Sequence, residues 1–210
     1  MLPGPNIVRE CHSCHEYFIQ ASILSGNTFG AKFWPDGKME APMMPNAPAY
    51  VGCPHCKTSF WIEDTKEVGQ YKWGEKNTNT FANAISYIEP SDEIYLQGLK
   101  DSNLTKDREI YLRANLMRLY NDVNRDQKTQ KPSTEAQKNN WTKLIEILEA
   151  ESTEDKLLKA EVYREMGDFN QAKKTLQGEF DEDYMQSLDV LDKLIEARDH
   201  RVMCINPEDH

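Results

Sequence analysis

Four of the five cysteines fall in two Cys-x-x-Cys pairs, Cys11-His12-Ser13-Cys14 and Cys53-Pro54-His55-Cys56, separated by 38 residues. Two such turns held side by side present four thiolates to one tetrahedral ion, and Zn²⁺ takes sulfur ligands at about 2.3 Å in that geometry. The spacing predicts one structural zinc ion per chain, with Cys11, Cys14, Cys53 and Cys56 as its ligands. Iron satisfies the same four sulfurs, so the pattern leaves zinc against iron open. His12, His15 and His55 lie beside the cysteines, but with four thiolates at hand they are expected outside the coordination sphere. An aromatic pair follows each turn, Tyr17 and Phe18 after the first and Phe60 and Trp61 after the second. That placement suits rings packed around a metal centre.

A closed four-cysteine site has no open coordination position, so the predicted ion does no chemistry itself. A dithiol reading of either pair needs a helix start in a βαβ setting to lower a thiol pKa, whereas strand-like sequence flanks both. The chain has no glycine-rich phosphate loop, Gly-x-Ser-x-Gly elbow or His-Glu-x-x-His helix. No catalytic residues or organic cofactor are therefore expected, and the chain is read as a non-enzyme.

Composition agrees with a folded, polar protein. The 210 residues are 39% hydrophobic and 29% charged, with mean hydropathy -0.75 and net charge -10. Residues 1–75 carry six Lys/Arg against eight Asp/Glu. An acidic surface repels phosphate, which makes nucleic acid an unfavoured partner. No apolar run approaches the length of a membrane span, and the opening Met1-Leu2-Pro3-Gly4-Pro5 lacks the basic and apolar segments of a secretory signal. A cytoplasmic location with reduced thiols is the expectation.

The elements that must position the cysteines are short. Apolar runs at Tyr17–Leu24, Thr28–Trp34 and Ser59–Ile62 predict three strands, and Pro35-Asp36-Gly37-Lys38 predicts a hairpin turn. Ala41 to Pro48, with three prolines, reads as an irregular loop. Its Met43 and Met44, with Trp34 nearby, are the candidate partner contacts, as an exposed Met-rich and aromatic patch. The alternative is that they pack against the helical region. Residues 65–90, with the polar run Asn77-Thr78-Asn79-Thr80, read as a boundary. The division expected is a zinc-ribbon domain at 1–75, a linker at 76–90 and a helical domain at 91–210.

Beyond Pro90 the period becomes helical. Ser91 caps a helix to about Leu99, and Thr105 caps one carrying Ile110, Leu112, Leu116, Leu119 and Tyr120. After a polar break from Asp126 to Pro132, Ser133 opens a helix whose Trp141, Leu144, Ile145 and Leu148 share a face. The segment from Lys156 to Leu176 resembles a tetratricopeptide repeat: Ala160, Tyr163, Gly167, Phe169 and Ala172 occupy the family's small, aromatic and turn positions, while Lys156 and Lys159 depart from its Trp and Leu. The resemblance implies one helical hairpin, followed by a capping helix from about Asp181 to Arg198. The whole chain is similar to a group of bacterial proteins joining an amino-terminal zinc ribbon to a tetratricopeptide-like tail. That likeness is carried by Leu2-Pro3-Gly4-Pro5, Ser25-Gly26-Asn27-Thr28-Phe29-Gly30, Trp34 to Pro42 and the cysteine pairs.

The fold class expected is therefore α+β, a small zinc-ribbon β unit followed by an all-α tetratricopeptide-like domain. The function expected is a zinc-binding adaptor for another protein. The alternatives are a nucleic-acid-associated zinc ribbon and a thiol-based redox or metal sensor.

Overall fold

A computed structural model describes residues 1–75, 81–125, 127 and 129–206. It contains both sheets and helices, as expected of an α+β chain. The chain divides into two compact units, residues 1–31 with 41–101, and residues 32–40 with those from 102 onward. This boundary differs from the expected 1–75/76–90/91–210 division at two places, and each has a physical cause given below. Among the described residues no helix is long and apolar enough to cross a membrane.

In the first unit, β1 (Leu2–Pro3) pairs with β4 (Ile23–Ser25), while β2 (Asn6–Glu10) and β3 (Tyr17–Gln20) form an antiparallel pair flanking the first cysteine turn. A second antiparallel pair, β7 (Tyr50–Gly52) and β8 (Ser59–Trp61), flanks the second, with Val51 opposite Phe60. Two further strands extend the first sheet to the order β10-β3-β2-β9: β9 (Lys66–Tyr71) and β10 (Ile85–Ser86). The single strand expected at Tyr17–Leu24 is thus two. Its break is fixed by Ser22, whose hydroxyl donates to the Pro5 carbonyl at 2.6 Å and whose own carbonyl accepts from Gly4 N–H at 2.9 Å.

The expected linker at 76–90 is, in its described part, built into this unit. The polar run at 77–80 lies outside the described residues. Phe81 meets the Tyr17 ring edge-on at 5.4 Å, β10 pairs with β3, and Ile88 exchanges both backbone hydrogen bonds with Gly52. A Cβ on Gly52 would stand 3.1 Å from Ile94 and 3.2 Å from Ile88, so a side chain there would press both isoleucines outward by a few tenths of an ångström. Ile94 belongs to α1 (Asp92–Gly98), capped by the Ser91 hydroxyl, and α1 packs on β7 and β8. That packing is why α1 groups with the cysteine-bearing unit.

The second unit holds α2 (Lys106–Asn121), α3 (Glu135–Ile147), α4 (Thr153–Glu165), α5 (Phe169–Thr175) and α6 (Met185–Glu196). Side-chain oxygens of Thr105, Thr134, Ser152 and Asp168 accept amide protons at the first four starts, each such cap being worth about 1 kcal/mol. The cap of α3 is Thr134, one residue beyond the expected Ser133. Of the break expected from Asp126 to Pro132, Asp126 and Lys128 lie outside the described residues, and the others are not helical. Between α4 and α5, Gly167 adopts φ 82°, Gly167 N–H bonds the Arg164 carbonyl, and Asp168 N–H bonds that of Tyr163. This is a glycine-closed helix end that only a residue without Cβ enters cheaply. Ala160 and Ala172 are fully buried where the two helices meet. Among the described residues its core includes Met117, Trp141, Leu144, Leu148 and Val162 in one cluster, and Leu157, Ala160, Ala172, Leu191 and Ile195 in another.

The hairpin β5 (Lys32–Phe33) to β6 (Met39–Glu40) forms as expected, with Gly37 at φ 75°. It belongs to this second unit, although it lies between the cysteine pairs in sequence. The cause is a buried ionic network. Asp36, at 0% exposure, accepts from Arg125 at 2.5 Å and from Asn121 Nδ2 at 3.0 Å, and its carbonyl accepts from Arg118 Nε at 2.9 Å. Arg125 also lies 4.7 Å over the Trp34 ring and bonds Asp122 at 2.8 Å. Asn121 passes the network on, donating to Glu165 Oε1 at 2.8 Å. Glu161 and Arg164, both fully buried, form a two-pronged pair at 2.7 Å. Burial pushes the Glu165 carboxyl well above the usual range, and the neighbouring Glu161 and Asp36 charges push it further against the pull of Arg164.

Two outcomes are expected from denaturant unfolding. Asp36→Ala strands Arg125 without its buried partner and lowers the stability of the helical unit by about 3 kcal/mol or more; a loss well below 1 kcal/mol contradicts the role given to the network. Glu165 holds its proton in the folded chain beyond the point, about pH 4.3, where the unfolded chain releases it. The unfolded chain then binds fewer protons, so stability falls as pH rises above that point toward the raised folded value. Glu165→Gln keeps an acceptor for Asn121 and carries no proton to lose, so its stability curve is flatter over that range and higher at neutral pH.

Candidate metal centre

Each cysteine turn is closed by its own backbone in the same way. In the first, Cys11 N–H donates to the Glu16 carbonyl at 3.0 Å and His15 N–H to the Cys11 carbonyl at 2.9 Å. In the second, Cys53 N–H donates to the Thr58 carbonyl at 2.8 Å and Lys57 N–H to the Cys53 carbonyl at 3.1 Å. The residue after the second cysteine is left-handed in both, His15 at φ 62° and Lys57 at φ 66°. A side chain in that conformation costs about 1–2 kcal/mol, a strain the two loops share and the surrounding contacts must hold.

The result brings all four predicted ligands together. The sulfurs of Cys11, Cys14, Cys53 and Cys56 lie within 4.8 Å of one another, with Cys11 to Cys56 at 3.8 Å and Cys14 to Cys53 at 3.7 Å. All four thiols are free. Four bonds of about 2.3 Å to a central ion place tetrahedral sulfurs about 3.8 Å apart. The donor set therefore fits one tetrahedral thiolate-bound metal ion.

Local donors tune the sulfurs. Amide groups of His55 and Cys56 point at Cys53 Sγ, yet burial outweighs them and pushes that thiol up to about 12. Cys56, the exposed member, is drawn down to about 6 by the hydroxyl and then the amide of Thr58. Burial raises Cys14, opposed by the Glu16 amide. Amide and hydroxyl donors of this kind stabilise thiolate charge and fix sulfur orientation around a metal.

The three neighbouring histidines stay out of the sulfur cluster and serve other contacts. His12 packs edge-on against Phe60 at 5.7 Å, so the first turn touches the strand after the second. His55 meets the Tyr17 carbonyl at 3.0 Å through Nε2, so the second turn touches the strand after the first. His15 Nδ1 pairs with Glu10 at 2.7 Å at the surface. Beneath the sulfurs, Phe18 and Phe60, each four residues past its turn, pack at 5.1 Å with Val51 and Ile62. The paired left-handed residues and crossed histidine contacts were not read from the sequence. The signal available was the repeated order of Cys-x-x-Cys followed four residues later by Phe.

The expected partner patch is divided. Trp34 is 1% exposed, enclosed in the second unit under the Arg125 guanidinium. It is buried rather than part of an exposed patch, and it lies among the residues that line a groove of that unit. Met43 is exposed, with its sulfur near the terminal amine, and Met44 is half-buried. Gly26 lies too close to Met43 and Met44 to admit a Cβ, which holds this loop against the segment after β4. No family model, no curated protein and no solved structure matches the chain.

Cys53→Ser is expected to lose the bound metal and, with it, the near-ultraviolet dichroism of Tyr50 and Trp61, read by metal analysis and spectroscopy together. A native-like spectrum after complete metal removal contradicts a structural role. Lys57→Gly, which relieves a left-handed side chain, is expected to stabilise the metal-loaded unit by about 0.5–1 kcal/mol in thermal unfolding.

Proposed function

We propose that the chain is a zinc-stabilised adaptor that binds another protein, works in the cytoplasm and has no catalytic activity of its own. Zinc is taken as the ion because structural zinc in a closed four-thiolate site supplies folding energy to small β units; iron fits the same sulfurs and is told apart by metal analysis. The helical unit is read as tetratricopeptide-like. The glycine-closed turn at Gly167 and the close approach at Ala160 and Ala172 support that reading.

The observation that carries the proposal is a groove of about 490 Å³ lying wholly within the helical unit. Ile110 and Tyr111 of α2, Leu157 and Leu158 of α4 and Leu191 of α6 give it apolar walls. Asp107, Glu154 and Asp155 stand along it. Burial raises the Asp155 carboxyl; Lys106 lowers it, and Glu154, Glu149 and Asp107 raise it again. An apolar trough beside a cluster of carboxylates suits an apolar peptide segment carrying Lys or Arg, and repels a polyanion.

The test is selection of a random peptide library on the full metal-loaded chain. Enrichment of apolar sequences bearing a basic residue is expected, with binding weakened about tenfold by Tyr111→Ala and by Asp155→Asn. Failure to enrich any sequence, or enrichment unaffected by both substitutions, contradicts the adaptor reading of this groove.

A further inference from the structure

Among the described residues, six of the twelve exposed large apolar side chains gather in one region of the first unit: Met1 and Leu2 at β1, Ile23 and Leu24 in β4, Phe29 just beyond it and Met43 in the proline-rich loop. Their backbones are adjacent. Leu2 stands opposite Ser25 and Pro3 opposite Ile23, the Met1 nitrogen lies 4.0 Å from the Met43 sulfur, and Gly26, next after β4, abuts Met43 and Met44. Leu24 is 67% exposed and Phe29 83%. With about 200 Å² for each large side chain, the exposed parts of the six amount to roughly 600 Å², the top of what a typical monomer leaves in one patch. That is most of the roughly 800 Å² each partner gives to a standard protein interface.

The strand β4 is also an open edge. β1 covers one side of it, and Ile23, Leu24 and Ser25 form no backbone hydrogen bond to any other described segment. Proteins guard such edges with charge, proline or a bulge. Pro3 and a register shift between Leu2 and Pro3 guard β1, whereas β4 has neither a proline nor a charged residue. Apart from the amine on Met1, residues 1–8, 17–31 and 41–52 carry no charge, in a chain whose net charge is -10. This limits the occupant. The surface offers no lysine or arginine to a lipid headgroup or a polyanion. It also holds no ionic side chain to select a charged peptide. Two copies of an acidic chain, which repel each other elsewhere, meet here without opposing like charges.

We propose that β4 pairs antiparallel with β4 of a second copy across a two-fold axis, forming a weak homodimer. In that register Leu24 faces Leu24 of the partner subunit, Ile23 faces Ser25 of the partner subunit, and main-chain hydrogen bonds close the open edge. Neighbours along a strand alternate between faces, so the pairing joins the leucines on one face and sets Ile23, with Leu2 beside it, on the other. Apolar groups on both faces of the ribbon are thereby covered. A three-residue edge and a patch of this size give an expected dissociation constant of about 10–100 µM.

Sedimentation equilibrium of the full, metal-loaded chain tests this. The mean mass is expected to rise from 24.3 kDa toward twice that value between about 1 and 500 µM. Leu24→Lys and Leu24→Asp alter a side chain that lies mostly in solvent, and circular dichroism verifies that both variants fold. Each is expected to weaken association about tenfold or more, because like charges then oppose each other across the axis. An equimolar mixture of the two recovers association, since lysine then faces aspartate. Val123→Lys, at an exposed apolar position of the helical unit, leaves association unchanged. A chain that stays at 24.3 kDa up to about 500 µM overturns the proposal. So does a dimer that both Leu24 substitutions leave intact, or a pair of monomeric variants that do not associate when mixed. Monomeric protein that instead sediments with phosphatidylcholine vesicles overturns it in favour of a lipid surface.

Discussion

The convergence of four sulfurs from two distant turns is the constraint on which the first unit depends. Cys11 and Cys53 are fully buried, and the apolar set around them is small, with Phe18, Val51, Phe60 and Ile62 at its centre. Strands of two to six residues cannot hold such a set in place alone. A tetrahedral ion bound by the four sulfurs would close the chain at four points and fasten the crossed contacts of His12 and His55. It would also help to hold His15 and Lys57 in the left-handed conformations that side chains avoid. The loops that cost energy to form are those that aim the sulfurs.

The helical unit depends on a different device. A hairpin only nine residues long, 32–40, is fastened there through Asp36, whose partners lie 85 and 89 residues along the chain. Burying a carboxylate and a guanidinium costs desolvation that their attraction only partly offsets, so such a pair is weak evidence of net stability. What it does supply is specificity, because Asp36 finds both Arg125 and Asn121 only when the hairpin sits in one register. The same network is carried through Asn121 to Glu165, a buried acid with no cation hydrogen-bonded to it among the described residues.

How far the sequence spoke depended on how local the governing interaction was. The cysteine ligands were legible because two short turns declare their own geometry, and the caps at Ser91 and Thr105 because a hydroxyl bonds an amide three residues on. The Asp-Gly turn at 36–37 was legible for the same reason. Where that hairpin belongs was not, since Arg125 and Asn121 give no local sign that they await Asp36. β9, Lys66-Glu67-Val68-Gly69-Gln70-Tyr71, was hidden because it is polar and contains a glycine, against which Phe81 presses so closely that a Cβ would stand 2.7 Å away. Trp34 read as a surface aromatic because nothing beside it in sequence shows the guanidinium that covers it.

X-ray absorption on the purified, unmodified full-length chain tests the central claim most directly. The account predicts a zinc edge at one ion per chain and a first shell of four sulfurs at about 2.3 Å, with no nitrogen or oxygen scatterer. A first shell containing nitrogen or oxygen, or a folded chain without stoichiometric metal, contradicts it.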